Sequence, residues 1–283
     1  MQQERFDNGN GLSLFFRFWR PDPNPNPRGA IVIVHGFNSH SGYYGWAAEQ
    51  LVIAGFAVYA LDLRGRGQSD GERFYVETFA DYVGDLSAFV GLVKGREPGL
   101  PVFMLGHSAG GIVACLYSLA HQQELTGLVC ESFAFQLPAP DFALAVLKGV
   151  SHVAPHAHVL RLKNEDFSRD AQVVAAMNAD PLIAHETQPT KTVAELARSD
   201  ERLKNESGQI TLPILILHGT ADKAARPAGS QLFFDTVGSI DKTLKFYDGG
   251  SHDLLNDLGK EEVIGHITAW IAARAAVGQG ARK

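Results

Sequence analysis

Short apolar runs alternate along the chain with longer stretches in which apolar positions return every three or four residues. Ala30 to Val34 is an unbroken, mostly β-branched run, the pattern of a strand covered on both faces of a parallel sheet. Phe56 to Leu61, Pro101 to Leu105, Gly127 to Cys130, Pro213 to Leu217 and Thr243 to Tyr247 predict further strands. Leu12 to Trp19 alternates weakly and predicts a strand paired with a short earlier one. Between these lie predicted helices at Tyr44 to Ala54, Ala109 to His121, Pro227 to Thr236 and Glu261 to Ala275. Thr78 is placed to cap another, whose apolar positions Phe79, Tyr82, Val83, Leu86, Phe89, Val90 and Val93 keep three-and-four spacing. Strands alternating with amphipathic helices predict an α/β fold with a mainly parallel sheet. The alternation fails between about Ser132 and Gly208, where the chain is rich in Ala, His and Leu and broken near Pro138, Pro155 and Pro181. This predicts a helical cap at 132–208, inserted into a core domain made of 1–131 and 209–283. The proline-rich stretch 21–29 predicts a stiff turn.

Composition removes whole classes. The chain has 283 residues, 45% hydrophobic and 20% charged, and is neither disordered nor fibrous in make-up. Its formal charge of −6 supplies no basic stripe for a phosphate backbone, so no nucleic-acid partner is expected. Cys115 and Cys130 lie in apolar runs without metal-ligand spacing and read as reduced, buried thiols. No apolar stretch approaches the ~20 residues that cross a bilayer, and the polar amino terminus carries no secretory signal. A cytoplasmic location is the expectation.

The chemistry starts at Gly106-His107-Ser108-Ala109-Gly110. This fits G-x-S-x-G, in which a strained strand-to-helix turn exposes a serine hydroxyl. A second match, Gly67-Gln68-Ser69-Asp70-Gly71, sits in a polar run beyond its strand with no helix following. The strand-turn-helix requirement therefore selects Ser108 as nucleophile and leaves Ser69 to a loop. Of eleven histidines, His252 has the best setting for a general base, in a glycine-rich loop after the last strand. His35 and His218 close buried strands before glycine and read as turn anchors. His107, inside the elbow, is expected to point away from the reaction. His152, His156 and His158 read as a solvated helix face rather than a metal site, and His121, His185 and His266 as surface residues. Asp222 follows the strand before His252, giving the order Ser, Asp, His that the hydrolase elbow calls for. Glu131, directly after its strand, is the competing acid. Asp62 reads as structural. An oxyanion site needs two backbone N–H groups. Ala109, at a helix N-terminus, offers one, and Phe37, in the His40-containing loop after the first buried strand, offers the other.

Together, His35-Gly36-Phe37-Asn38-Ser39-His40-Ser41-Gly42-Tyr43-Tyr44, the stretch 61–73, the elbow 106–111, 218–223 and 249–253 resemble the α/β-hydrolases of the monoacylglycerol lipase and lysophospholipase group. The resemblance implies an α/β-hydrolase fold and a triad of Ser108, Asp222 and His252, with oxyanion donors Phe37 and Ala109. It also implies ester hydrolysis without metal or organic cofactor. Members of the group often carry Met where this chain has Ala109, which opens the pocket floor, and Glu and Arg where it has Ser39 and Tyr43.

The expected substrate is a small acyl ester, a monoacylglycerol first. Lysophospholipid, thioester and aryl-ester (feruloyl-type) hydrolysis are alternatives on the same triad, and a non-catalytic ligand-binding module is an alternative of another class. Dehalogenase and epoxide hydrolase chemistry is disfavoured because it places Asp at the elbow. Phe133, Phe135, Leu137, Phe142, Leu144, Val146, Leu147, Val150, Val153 and Leu160 in the insertion either pack on the core or line an acyl channel and touch a lipid surface.

Overall fold

The computed structural model describes residues 1–21, 26–137 and 139–280. Residues 22–25 of the predicted turn at 21–29, and the break at Pro138, lie outside the described residues.

Eight strands form one sheet in the order β1-β2-β4-β3-β5-β6-β9-β10. They are β1 (Gln2–Asp7), β2 (Ser13–Trp19), β3 (Ala30–Val34), β4 (Ala57–Leu61), β5 (Val102–His107), β6 (Gly127–Glu131), β9 (Ile214–Gly219) and β10 (Lys242–Tyr247). The edge pair β1 and β2 is antiparallel, and β2 joins β4 antiparallel. All other pairs are parallel.

The unbroken apolar runs have a direct cause. Successive side chains of a strand point to opposite faces, and both faces are covered. Val32, Val34, Met104, Leu128 and Ile216 join one core layer, under α2 (Phe79–Arg96) and α3 (Ala109–His121). Ile31, Ile33, Phe103, Val129 and Leu217 join the other, under α1 (Gly45–Ile53) and α8 (Lys260–Gly280). Each of these side chains is essentially fully buried and contributes roughly 1.5–3 kcal/mol of transfer free energy. Helix α2 starts where the sequence predicts it. The Thr78 hydroxyl accepts from the Asp81 N–H, and the Asp81 carboxylate accepts from the Thr78 N–H, closing a capping box.

Between β6 and β9 the chain forms α4 (Asp141–Val153), β7 (His158–Leu160), α5 (Ala171–Ala179), β8 (Gln188–Pro189) and α6 (Thr190–Glu206). Helix α6 sends Leu196 and Leu203 into the first core layer. Helix α4 lies outermost and leaves Phe142, Val146, Val150 and Val153 exposed. Phe167, Met177 and Ile183 make a small apolar cluster of their own around α5. Helix α7 (Pro227–Thr236) completes the chain between β9 and β10.

Parallel pairing brings the carboxyl ends of the central strands level. Val34 stands beside Gly106, Gly106 beside Cys130, and Cys130 beside Ile216. The loops that follow them meet along one rim, where open α/β sheets hold their ligands.

Candidate active site

Ser108 stands between β5 and α3 with φ 53° and ψ −124°. This is left-handed backbone for a non-glycine residue and costs of order 1–3 kcal/mol. The glycines of the motif let the turn close. A Cβ on Gly106 would lie 2.7 Å from the Gly111 Cα, and one on Gly110 only 2.2 Å from the Val34 carbonyl oxygen.

Ser108 Oγ lies 2.8 Å from His252 Nε2, and His252 Nδ1 lies 2.7 Å from Asp222 Oδ2. The structure thus brings hydroxyl, imidazole and carboxylate into contact sequence, with only 6% of Ser108 and 1% of His252 exposed. The Asp222 Oδ1 accepts the N–H groups of Ala224 and Ala225 at 2.8 and 2.9 Å. His218 Nε2 stands 2.9 Å from Oδ2, off the line of a hydrogen bond but close enough to act through its field. Burial alone would raise the Asp222 pKa. The His252 and His218 imidazoles outweigh it and hold the carboxyl well below its usual range. With Nδ1–H directed to a fixed carboxylate, Nε2 is left free to accept the serine proton.

The loop after β3 lies against Ser108, since a Cβ on Gly36 would fall 2.7 Å from the Ser108 Cβ. His35 anchors that loop: its Nε2 accepts from the Leu63 N–H at 3.0 Å, and Nδ1–H donates to the Gly36 carbonyl at 2.7 Å. Burial pushes the His35 pKa down to about 4, in keeping with a neutral ring. Phe37 and Ala109, the two oxyanion candidates, are both buried. Ala109 opens α3, where an N–H has no carbonyl one turn back to bond.

Other candidates fall elsewhere. Ser69 Oγ accepts from the Phe15 N–H and donates to the Asp62 carbonyl. Glu131 gives Oε1 to the Leu254 N–H at 2.8 Å and makes no hydrogen bond to the His252 ring. The Asp62 carboxylate accepts from Ser41 and Gln68 N–H groups. Two expectations need correction. The histidines at 152, 156 and 158 do not share a helix face: His152 is in α4, His156 stacks on Tyr75 beside Glu72, and His158 is in β7 against Thr187. His107 is not turned away from the site either. Its ring lies 4.9 Å from that of His252, and Nε2 donates to the His252 carbonyl at 3.3 Å. The thiols of Cys115 and Cys130 are buried and free, 3.7 Å apart.

The profile of the hydrolase-4 family, described as serine aminopeptidase S33, matches residues 25–259. The chain belongs to this family. The monoacylglycerol lipase of Mycolicibacterium smegmatis is 33% identical to this hydrolase over 96% of its chain and 97% of the relative. The monoglyceride lipase of Homo sapiens is 33% identical over 95% and 90%. Among solved structures, the monoacylglycerol lipase of Paleococcus ferrophilus superposes with a TM-score of 0.83, at 29% identity, over 92% of this chain and 99% of that one. This protein is a carboxylic ester hydrolase of the α/β-hydrolase fold.

Three contacts of the hydrolase site escape the sequence reading. The Phe167 ring stands edge-on to His252 at 4.9 Å. Glu186 accepts the Asn38 N–H at 2.9 Å and pairs with the buried Arg66, which itself lies 4.2 Å over the Phe37 ring. Asp180 accepts from His40 Nε2 and the Tyr43 hydroxyl, each at 2.8 Å. Phe167, Asp180 and Glu186 all come from the segment between β6 and β9, whose loops carry no local motif; only the tertiary fold brings them here. The role of His218 had one available signal, its position four residues before Asp222 at a strand end. A cavity of about 580 Å³ opens beside the contact of Asn38 with Glu186, lined by those two residues and by Leu162, Asn164, Met177 and Ile183 among others, and not by Ser108.

Proposed function

We propose that this hydrolase cleaves monoacylglycerols to a fatty acid and glycerol through Ser108, His252 and Asp222. Ser108 Oγ attacks the acyl carbon while His252 Nε2 takes its proton. The oxygen that becomes negative is received by the Phe37 and Ala109 N–H groups. The tetrahedral intermediate expels the glycerol oxygen, which takes the proton back from His252. Water, deprotonated by the same imidazole, attacks the acyl carbon; the Ser108–acyl bond then breaks, the acid leaves and Ser108 Oγ recovers the proton from His252. Asp222 keeps the ring in one tautomer and stabilises its cation. No cofactor enters these steps.

The observation that carries this reading is the unbroken serine–imidazole–carboxylate chain at 2.8 and 2.7 Å. Relatives named as monoacylglycerol lipases, matched over nearly their whole length, support the choice of ester.

Residues 132–208 act as the cap in this reading. Phe167 against His252, and Glu186 and Asp180 on the loop after β3, support it. The exposed Phe142, Val146, Val150 and Val153 recur at spacings of four, four and three on α4, an apolar stripe suited to a lipid surface.

Fatty-acid release is compared across monoacylglycerols, lysophospholipids, acyl-CoA and aryl esters of graded chain length. Monoacylglycerols are expected to give the highest kcat/KM, and a clear preference for any other group overturns the substrate assignment. A fluorophosphonate probe is expected to label the wild type and not Ser108→Ala.

A further inference from the structure

The loop bearing His252 is braced from the ends of β5 and β6. His107 Nε2 donates to the His252 carbonyl, and the Leu254 N–H donates to Glu131 Oε1. Asp253, between them, gives Oδ2 to the Asn256 side-chain amide at 2.9 Å. Glu131 is fully buried and Asp253 is 4% exposed. Each carboxyl therefore spends one oxygen on the loop. The remaining two, Glu131 Oε2 and Asp253 Oδ1, have no hydrogen-bond partner among the described residues, and neither has His107 Nδ1. One donor atom each from His107, Glu131 and Asp253 lie within 4.8 Å of one another.

Two ionised carboxylates cannot share so small a buried space without a compensating charge. The groups facing them supply none. His107 is held neutral by burial, and its Nε2–H is already given to the His252 carbonyl, with Glu131 Oε2 at 3.6 Å. Asp222 adds a negative charge, Tyr44 contributes a buried phenol, and Asp257 beyond is engaged by Arg169. His252 is committed to Asp222 and Ser108. Burial, then the charge of Asp253, pushes the Glu131 carboxyl well up, and burial pushes Asp253 up to about 6.

We propose that Glu131 carries a proton at neutral pH, shared with Asp253, and that this acid–carboxylate pair is the brace that sets the position of His252. Glu131 is a positioning residue in this role. The inference rests on His252 being the base. When the pair loses its proton, repulsion between Glu131 and Asp253 loosens the Leu254 anchor and carries the imidazole off the line to Ser108. Activity then falls on the alkaline side.

The proton can be read directly. At neutral pH the infrared difference spectrum of the wild type should contain the carbonyl band of a protonated carboxylic acid, absent from Glu131→Gln. The amide of Glu131→Gln keeps the acceptor for Leu254 and a donor toward Asp253 but does not titrate. It should hold kcat at neutral pH within about threefold and abolish the alkaline fall. Glu131→Ala should lose about tenfold or more in kcat with KM nearly constant, as expected of a misplaced base. If Glu131→Ala does not fold, the wild type and Glu131→Gln still decide the matter. A missing band, an alkaline limb unchanged in Glu131→Gln, or a stoichiometric divalent metal in the purified protein overturns the proposal. A wild type that shows the band beside an active Ser108→Ala would sink the nucleophile assignment and leave the proton standing.

Discussion

The chain presents the same five-residue pattern twice, and the fold gives the two copies opposite fates. At 67–71 the serine hydroxyl is consumed: Ser69 Oγ accepts from Phe15 N–H at 2.8 Å and donates to the Asp62 carbonyl at 2.6 Å. At 106–110 the hydroxyl is directed to an imidazole, and the backbone beneath it is held at positive φ. What separates them is the element that follows. After Ser108 comes α3, whose first turn leaves N–H groups without carbonyl partners beside the hydroxyl. After Ser69 comes a turn-rich stretch up to Thr78. A motif thus acquires chemistry from its surroundings, and a hydroxyl with both bonding directions committed to backbone has no proton to give.

The largest expected effect tests this contrast at the oxygen itself. Ser108→Ala should lower kcat on a monoacylglycerol by about 10⁴-fold or more, leaving only what binding and the proposed oxyanion donors supply. Ser69→Ala should leave kcat within about threefold. Equal losses in the two variants would dissolve the distinction. Next comes Asp222→Asn, which keeps the shape but lets the amide favour the wrong imidazole tautomer. A loss of about 10⁴-fold in kcat is expected, and a loss under tenfold would hand the acid's role to another group.

Much of this was legible in the sequence. The strands β3, β5, β6 and β9 lie within two residues of the apolar runs that predict them, because a strand covered on both faces needs apolar side chains at every position. The convergence of Ser108, Asp222 and His252 was legible because each residue follows a strand whose end reaches the same rim. The grip of Asp180 and Glu186 on the loop around Phe37 was not legible. It depends on where a helical segment folds back, and no local periodicity encodes that. His107 shows the same limit at closer range. Its position in the elbow fixes the backbone, while the direction of the ring is set by a loop 145 residues away.

A smaller effect sharpens the comparison from the side of His252, through the two aspartates next to it. The Asp222 pKa is depressed on folding. Its contribution to stability is therefore fully present above the unfolded carboxylate value and fades only as pH falls through the folded one. Asp253 has the opposite sign. Burial raises it to about 6, so between about pH 4 and 6 the unfolded chain has already lost a proton that the native state keeps. Stability should decline through that window by about 3 kcal/mol on account of this group. Asp253→Asn removes the titration. Relative to wild type, it should gain stability as pH rises from 4 to 7 in urea unfolding. A constant difference between the two across that range would show that Asp253 is not raised.

The smallest effect returns to Ser69, whose work is structural. Its hydroxyl joins the N–H of Phe15 in β2 to the carbonyl of Asp62 at the end of β4, two backbone groups on a buried stretch. Ser69→Ala leaves both without that partner, and a buried polar group stripped of its bond costs about 1–3 kcal/mol. The loss should appear as a lower urea midpoint with an unchanged m-value, since the surface exposed on unfolding is nearly the same. It should not appear in the labelling rate of Ser108 by a fluorophosphonate. Asp62 also holds the Ser41 N–H through its carboxylate, so the strand end and the loop after β3 meet at one residue. A labelling rate that falls along with stability would mean that strain at Asp62 reaches Phe37 through this contact. The two serines would then be coupled parts of one site instead of independent uses of one pattern.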